Sequence, residues 1–337
     1  MLAVVCRAWM PYRELPLENV PPPPLGPGQV RIGTHYAGVS FATTLVTEGR
    51  YQRKPPFPFS PGTEVAGEVL EVGPGVTRIA PGDRVCAALD WGGHAEEAIA
   101  TEATVHKLPD GLPFDLAPQF PLSYGTAHGG LAWAARLVPG ETVLVTGAAG
   151  AVGLAAVEIA KAMGARVVAA ASTPAKLAAA AAHGADATVL LPSPDAVAQI
   201  RATAPAGVDC VFDPVGGDAF DVAMRAVAEG GRIVVIGFAG GRVQQVPANI
   251  LLVKNVAVPG FNYGRYVGWG RVDERARYEA DVRGQMSQLF DWLGQGRLRP
   301  ATSHKFPLRD YRAAMTAVIE RQGIGKIVLQ MPRAERA

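Results

Sequence analysis

One continuous segment, residues 142–176, constrains the fold of this chain more than any other. It contains a short apolar run over 142–146, a glycine-rich turn, an alanine-rich run over 151–163 and a second apolar run over 166–171. Short apolar runs of this length predict β-strands, and the longer run between them predicts a helix. The segment therefore predicts a strand, turn, helix and strand in succession, the unit from which a parallel sheet is built.

The turn carries three glycines, Gly147, Gly150 and Gly153, in a GxxGxxG pattern. Their spacing lets the backbone turn tightly and approach the pyrophosphate of a dinucleotide, while the positive end of the helix dipole faces the phosphates. The alternative is an ordinary strand-to-helix turn, and the flanking strands and helix favour the cofactor. The pattern predicts phosphate contacts from Ala149, Gly150, Ala151 and Val152.

The end of the second strand indicates which dinucleotide binds. An NAD site offers Asp or Glu there to the ribose 2′-hydroxyl, but no carboxylate occurs between residues 165 and 185. Ser172, Thr173 and Lys176 supply hydroxyls and one cation where a 2′-phosphate would lie. The segment predicts NADPH in preference to NADH. Alternatively, Ser172 caps the next helix and Lys176 is a solvated helix residue, and both roles can coexist.

Charge and hydropathy exclude several classes of protein. The 337 residues carry a formal net charge of +2 and no dense Lys/Arg run with interleaved aromatic residues, so no nucleic-acid partner is expected. The first residues lack the apolar core and cleavage site of a signal peptide, and no apolar run approaches membrane-spanning length. We expect a cytoplasmic protein with a small-molecule substrate and no membrane partner.

Cysteine and histidine patterns predict no metal site. Cys6, Cys86 and Cys210 are scattered and odd in number, which is typical of free thiols in a reduced compartment. The six histidines have no spacing with cysteine or with each other that would build a zinc site. Neither a structural nor a catalytic metal is expected.

The order of strand-like and helix-like runs along the chain predicts two kinds of domain. Residues 1–122 contain short β-rich runs between glycines and prolines, which predicts a compact, mostly antiparallel β domain. Residues 123–261 alternate between strand-like and helix-like runs, as in an α/β fold with a doubly wound parallel sheet. Residues 262–337 are expected to return to the first domain.

Six strands and four helices are predicted within the middle region. The strands are 142–146, 166–171, 187–191, 208–212, 232–237 and 256–259, and the helices are 151–163, 174–183, 195–203 and 218–229. The loops 213–217 and 238–241 then lie at the carboxyl edge of the sheet, where ligands bind in such folds. We expect them to meet the nicotinamide half of the cofactor. Later elements are predicted at 277–293, 311–320 and 326–329.

Several motifs occur in the order found in one known family. They are PFSPGTEVAGEVLEVGPGV with GDRV, SYGTAHGGL, GETVLVTGAAGAVG, DPVGGDAF, and GRIVVIGFAGG with VPANILLVKN. Together they resemble the zinc-free quinone oxidoreductase branch of the medium-chain dehydrogenase/reductase superfamily, over nearly the whole chain. The resemblance implies a GroES-like β-barrel catalytic domain made from both termini, a central Rossmann domain that binds NADPH, and a homodimer formed through the Rossmann sheets.

Two departures from related enzymes bear on the chemistry. Zinc-dependent relatives carry Cys within the segment 38–40 and a His-Glu pair where this chain has Thr63-Glu64, so both the Cys and the His ligand are absent here. Members of the zinc-free branch often carry Asn and Asp at the positions of Ser40 and Thr43, followed by a Gly-x-Tyr that survives as Gly49-Arg50-Tyr51. The resemblance implies hydride transfer assisted by hydrogen bonds alone.

Tyr51 and Ser40 are the candidate catalytic residues. A phenol can hydrogen-bond to a developing enolate or hydroquinone oxygen. Alternatively, Tyr51 only shapes the pocket rim and Ser40 is an ordinary turn serine. The resemblance also places nine residues near the cofactor: Thr126, Val215, Gly216, Gly237, Phe238, Ala239, Phe261, Asn262 and Lys326. Their alternatives are helix capping for Thr126 and plain turn chemistry for the two loops.

Three functions are consistent with these residues. The leading one is an NADPH-dependent reductase of a quinone or an α,β-unsaturated carbonyl compound. The second is a reductase of acyl-CoA or small unsaturated acids, for which Arg50, Arg53 and Lys54 would supply a cationic anchor, unless they form a solvated loop. The third is a non-catalytic NADPH-binding structural or RNA-binding protein, which the near-neutral charge disfavours.

Overall fold

The computed structural model describes residues 1–335, which divide into two units. The first, the β unit, comprises Met1–Leu122, Gly264–Ser287 and the chain from Ala301 on. The second, the α/β unit, comprises Ser123–Tyr263 and Gln288–Pro300. No helix within residues 1–335 is long and apolar enough to cross a membrane.

The elements are numbered in chain order. The strands are β1 (Leu2–Val4), β2 (Leu17–Asn19), β3 (Gln29–Val39), β4 (Glu64–Val72), β5 (Arg84–Ala88), β6 (Glu97–Thr101), β7 (Val105–Lys107), β8 (Thr142–Thr146), β9 (Arg166–Ala171), β10 (Ala187–Leu190), β11 (Val208–Asp213), β12 (Val227–Val235), β13 (Thr302–Pro307) and β14 (Lys326–Gln330). The α-helices are α1 (Phe41–Thr47), α2 (Gly125–Gly129), α3 (Ala151–Ala162), α4 (Pro174–Ala182), α5 (Ala196–Thr203), α6 (Gly217–Ala226), α7 (Ala248–Lys254), α8 (Arg275–Gly294) and α9 (Tyr311–Ile319).

A seven-stranded sheet forms the framework of the β unit. Its order is β13-β14-β3-β4-β5-β7, with β6 pairing with β3, and every ladder is antiparallel except β13–β14. Strand β3 pairs with β4 along one edge. Along the other edge, its residues 29–33 pair with β6 and its residues 36–39 pair with β14. The predicted antiparallel β domain with a GroES-like fold is confirmed.

Alternating side chains of this sheet form the core of the β unit. Val30, Ile32, Val65 and Val85 are fully buried, and helix α9 adds Tyr311 and its neighbours to the same cluster. Each fully buried aliphatic side chain of this size stabilises the fold by about 1.5–3 kcal/mol relative to an exposed one. Burial of these side chains thus stabilises the sheet of the β unit.

The α/β unit contains a parallel sheet of five strands in the order β10-β9-β8-β11-β12. Helices α3, α4, α5 and α6 connect these strands along the chain. The strand order reverses between β8 and β11, which makes their carboxyl ends the topological switch point where ligands bind in this architecture. The predicted doubly wound, Rossmann-type α/β fold is confirmed in the strands that define this switch point.

The predicted sixth strand is reduced to isolated bridges. Ala257 and Gly260 form single parallel bridges to Arg232 and Val235 of β12. Pro259 lies between them and has no N–H to donate, so a continuous ladder cannot form there. The edge of the sheet is consequently β12 with a short irregular partner.

Several predicted boundaries differ from the structure, and the largest differences lie at the start of β12 and in the final segment. The helix predicted to reach residue 229 ends at Ala226, because Val227 is extended (φ −64°, ψ 140°) and begins β12. The final segment is divided, since residues 288–300 belong to the α/β unit and not to the β unit. The backbone N–H of Arg299 donates to the buried carboxylate of Glu158 over 3.1 Å, which ties this stretch to α3.

The turn between β8 and α3 gives each motif glycine its own physical reason. Gly147 has φ +58°, a conformation that other residues rarely adopt. A Cβ on Gly153 would overlap the carbonyl oxygen of Gly147 and lie 2.9 Å from Ala148 Cα, so only glycine lets the helix approach the turn. Gly150, in contrast, has φ −74° and its nearest neighbour to an added Cβ is 3.5 Å away.

Replacing Gly153 and Gly150 by alanine separates these reasons. We expect Gly153→Ala to lower the free energy of unfolding of the α/β unit by about 1–3 kcal/mol, because a backbone carbonyl must move to admit the methyl group. Gly150→Ala is the matched control, with an expected change of less than about 1 kcal/mol at this N-cap position. Thermal unfolding of the two variants measures both values, and equal midpoints would contradict the packing role of Gly153.

Candidate functional site

The amino terminus of α3 is open to an anion. Its N-cap is Gly150, no side chain caps the helix, and its first turn contains no acidic residue. The first N–H groups therefore lack intrahelical partners and sit at the positive end of the helix dipole. Among the predicted phosphate contacts, Gly150 is exposed, Ala151 and Val152 are half-buried, and Ala149 is buried. The turn fits a pyrophosphate that approaches along Gly150.

A buried carboxylate that the sequence analysis missed organises the switch point. Asp213, fully buried at the end of β11, accepts a hydrogen bond from the Thr146 hydroxyl over 2.5 Å. The same side chain accepts the backbone N–H groups of Val215 and Gly216, each over 3.0 Å. Asp213 thus joins the ends of β8 and β11 and sets the conformation of the loop that follows. Its signal in the sequence was an aspartate at a strand end, directly before Pro214.

The two loops predicted at the carboxyl edge are hydrogen-bonded to each other. The N–H of Ala239 donates to the Pro214 carbonyl over 3.1 Å, and the N–H of Gly240 donates to the Val215 carbonyl over 2.8 Å. The structure therefore brings together five of the predicted cofactor residues: Val215, Gly216, Gly237, Phe238 and Ala239. Phe238 is 45% exposed, so this large apolar side chain is available to a ligand at the sheet edge.

Thr126, Phe261 and Asn262 also lie in the α/β unit. Helix α2 begins at Gly125 with Tyr124 as its N-cap, so Thr126 is inside the helix and the alternative capping role does not apply. Phe261 is 9% exposed and packs against the rings of Trp133 and Tyr263, while Asn262 is exposed. Cofactor contacts from these three residues stay predictions.

Ser172, Thr173 and Lys176 follow the end of β9, and the residue that caps helix α4 differs from the one expected. The N-cap of α4 is Thr173, whose Oγ1 accepts the backbone N–H of Lys176 over 3.3 Å. The alternative in which Ser172 caps the helix is therefore wrong, because Thr173 has the extended backbone conformation that the cap position requires. Ser172 is exposed and Lys176 is half-buried. Both stay candidates for a 2′-phosphate.

The candidate catalytic residues line a cavity inside the β unit. The cavity is partly open to solvent, and its wall includes Ser40, Thr43, Val46, Tyr51, Phe59 and Trp91. Ser40 is the N-cap of α1, and its hydroxyl lies 3.3 Å from that of Thr43. The two positions at which relatives carry Asn and Asp thus hold a pair of hydroxyls at hydrogen-bonding distance. Largely apolar walls around a few polar groups are typical of a substrate pocket.

Burial keeps the phenol of Tyr51 protonated. Loss of solvent raises the pKa of Tyr51, while a hydrogen bond with Gln52 and the charge of Arg53 oppose the shift. A phenol with a raised pKa is neutral at physiological pH and donates its proton in a hydrogen bond. Tyr51 can therefore stabilise an oxygen that gains negative charge, as predicted for its chemistry.

Lys326 has a charge partner within the β unit. It lies at the start of β14 in the β unit, 4% exposed, and forms an ion pair with Glu64, which is 2% exposed. Burial raises the pKa of Glu64, and the ammonium group of Lys326 opposes that shift. A buried charge requires a partner, and Lys326 has one in Glu64. A position of Lys326 near the cofactor stays a prediction. The sequence signal for this burial was a lysine at the first position of the apolar final strand.

Near the positions at which zinc-dependent relatives carry metal ligands, this chain has a different set of polar side chains. His94 is fully buried beside it, with Nε2 3.3 Å from the Gly38 carbonyl oxygen, and burial lowers the pKa of His94 to about 4. Within residues 1–335, no three His, Cys, Asp or Glu side chains are grouped closely enough to hold a metal ion. The polar groups near Gly38 are therefore a neutral imidazole and the Glu64–Lys326 ion pair.

Two family models match the chain, one in each type of fold. Residues 26–110 match the alcohol dehydrogenase GroES-like domain, and residues 151–278 match the model described as zinc-binding dehydrogenase. The second stretch begins after positions 38–40 and 63–64, where zinc-dependent relatives carry the Cys and His ligands. The match therefore concerns the nucleotide-binding fold and not the metal ligands.

Known proteins resemble the chain over almost its whole length. Quinone oxidoreductase-like protein 2 of Rattus norvegicus is 39% identical, covering 95% of this chain and 89% of the rat protein. The structure of the quinone oxidoreductase from Thermus thermophilus, also studied in complex with NADPH, has a TM-score of 0.82 at 34% identity and covers 98% of this chain and 100% of its own. Escherichia coli quinone oxidoreductase complexed with NADPH has a TM-score of 0.88 at 25% identity, covering 98% and 100%. The chain thus belongs to the medium-chain dehydrogenase/reductase superfamily, in its quinone oxidoreductase branch.

Proposed function

We propose that the protein is an NADPH-dependent, zinc-independent reductase that transfers hydride to a quinone or an α,β-unsaturated carbonyl compound. The observation that carries the proposal is the glycine turn at the switch point, with Gly150 open and the amino terminus of α3 uncapped. Similar structures bear NADPH, and similar proteins are named quinone oxidoreductases. The residues present therefore fit the cofactor and the reaction class.

The α/β unit would bind and orient the cofactor. The N–H groups at Ala151 and Val152 would hold the pyrophosphate as it lies along Gly150, whose own N–H donates to the Gly147 carbonyl over 3.0 Å, and Ala149 would form the floor of the turn. The loops fixed by Asp213 would position the nicotinamide end, and Thr126, Phe261 and Asn262 are proposed as further contacts. When bound, the cofactor supplies the hydride.

The β unit would bind the acceptor and stabilise its oxygen. Tyr51 would donate a hydrogen bond to the oxygen that gains negative charge, and the Ser40–Thr43 hydroxyl pair would provide a second donor. Apolar walls from Val46 and Phe59 exclude water, which strengthens each of these hydrogen bonds. Removal of a well-placed donor of this kind costs a reaction about 2.7–4 kcal/mol in known cases.

We also propose a homodimer, as the family resemblance implies. Helix α7, beside the edge strand β12, exposes Leu252 at 79% and Val253 at 73%. Adjacent exposed aliphatic side chains next to a sheet edge are typical of a protein interface.

A cytoplasmic location stays a prediction. No observation favours the structural or RNA-binding alternative.

An acceptor panel tests the proposed reaction. The purified protein is mixed with NADPH and a series of quinones and enones, and the absorbance of the reduced nicotinamide is followed in the presence and absence of a metal chelator. We expect turnover that the chelator does not change. Tyr51→Phe should lower kcat by about 100- to 1,000-fold with unchanged affinity for NADPH, since it removes only a hydrogen-bond donor. Absence of turnover with every acceptor would refute the function, and an unchanged rate in the variant would make Tyr51 a wall residue.

The cofactor preference has its own test. Lys176→Ala should weaken NADPH binding by about tenfold, because a charge-assisted hydrogen bond to the 2′-phosphate is lost, and should leave NADH binding nearly unchanged. Lys161→Ala, which removes the same charge at a residue paired with Asp186, serves as the control and should affect neither nucleotide. Calorimetric titration gives the dissociation constants. Equal losses for NADPH and NADH in Lys176→Ala would rule out the 2′-phosphate contact.

A further inference from the structure

Charged side chains at one wall of the β-unit cavity share a single carboxylate. Asp90 Oδ1 lies 2.7 Å from Arg53 Nη2 and 2.8 Å from Arg275 Nη2. Arg275 also pairs with Asp273, whose side chain is 54% exposed. Asp90 therefore divides its negative charge between Arg275 and Arg53, and of these two guanidinium groups it is that of Arg53 that lines the cavity.

Two hydrogen-bond donors on this wall have no acceptor. Arg53 Nη1 and Trp269 Nε1 are buried, and neither has a hydrogen-bond partner within residues 1–335. Both side chains line the cavity that Tyr51 and Ser40 also line. Buried donors are nearly always paired in folded proteins. Two unpaired donors at one cavity indicate that a ligand supplies the acceptor.

Arg53 is already fixed in position for such a ligand. Its Nη2 is engaged by Asp90, and its guanidinium lies 5.4 Å from the centroid of the Trp91 ring, within the range of a cation–π contact. A group that is held in place loses little conformational entropy on binding. Of the neighbouring cations, Arg50 is 69% exposed and paired with Glu48, and Lys54 is exposed. Arg53 is the one whose position suits a pocket anchor.

We propose that Arg53 and Trp269 form a carboxylate subsite, so that the acceptor is an α,β-unsaturated carbonyl compound that itself carries a carboxylate. A carboxylate has lone pairs for both donors and compensates the guanidinium charge, which a neutral oxygen would not. The inference rests on the proposed function and leaves its reaction unchanged. The hydride from NADPH forms a C–H bond at the β-carbon, a proton forms one at the α-carbon, the C=C π bond is lost, and NADPH becomes NADP⁺.

A matched pair of substrates tests the subsite. The value of kcat/KM is measured with NADPH for 4-oxopent-2-enoate and for its methyl ester, which differ in the charge of one end. Trp269→Phe keeps an aromatic ring and removes one N–H, so it should lower kcat/KM for the carboxylate by about tenfold and that for the ester by less than about twofold. Arg53→Gln should reduce the value for the carboxylate further, whereas Arg50→Gln, the control at an exposed position, should change neither.

A binding measurement separates failure of the subsite from failure of the proposed function. The saturated 4-oxopentanoate cannot accept hydride at a C=C bond, and its calorimetric titration into the NADPH-loaded protein reports binding alone. We expect Trp269→Phe to weaken its binding by about tenfold and to leave its methyl ester unaffected. Binding without reduction of either enone would support the subsite and refute the proposed reaction. Equal reduction of acid and ester, with binding that Trp269→Phe does not change, would overturn the subsite and leave the reaction standing.

Discussion

The hydrogen bond from Thr146 to Asp213 is the interaction on which the candidate nucleotide site depends. It joins the ends of the two central strands at the place where the strand order reverses. Because Asp213 is fully buried, its carboxylate must find its partners locally, and it does so in the Thr146 hydroxyl and the N–H groups of the following loop. One side chain therefore fixes both the strand ends and the loop.

The glycine turn and this buried carboxylate together leave a surface made largely of backbone donors. Gly153 brings α3 close to the turn, and the uncapped amino terminus of the helix then faces outward. Binding of a phosphate there requires no charged side chain, since the N–H groups and the helix dipole act together. In the proposed site, Ser172 and Lys176 at the end of β9 would select between phosphorylated and unphosphorylated ribose.

The β unit is organised by a different principle, the pairing of charges and hydroxyls away from water. Glu64 and Lys326 form a buried ion pair, and burial keeps the imidazole of His94 neutral. The cavity holds the protonated phenol of Tyr51, the hydroxyls of Ser40 and Thr43, and the guanidinium of Arg53. These groups hydrogen-bond to oxygen and orient it, so the chemistry proposed for the β unit relies on donors and not on a Lewis acid.

Sequence patterns predicted those structural features in which the interacting residues are close together in the chain. The strand, turn and helix around Gly147 were predictable because glycine spacing and apolar runs act within a few residues. Ser40 and Tyr51 were candidates only through the family resemblance, and the structure shows that they line one cavity, to which the short helix α1 also brings Thr43. Pairings between distant segments were not predictable. Asp213 meets Thr146 across the sheet, and Lys326 meets Glu64 between two strands that are far apart in sequence. Likewise, Trp269 reaches the cavity only through the fold of the β unit.

The most direct test of the central claim is hydrogen exchange of the backbone amides, measured by mass spectrometry with and without NADPH. If the nucleotide docks at the switch point that Asp213 organises, exchange should slow together in the turn at 147–153 and in the loops at 213–217 and 237–240, and should be unchanged in β1 and β2. Unchanged exchange at 147–153 in the presence of saturating NADPH would contradict the account.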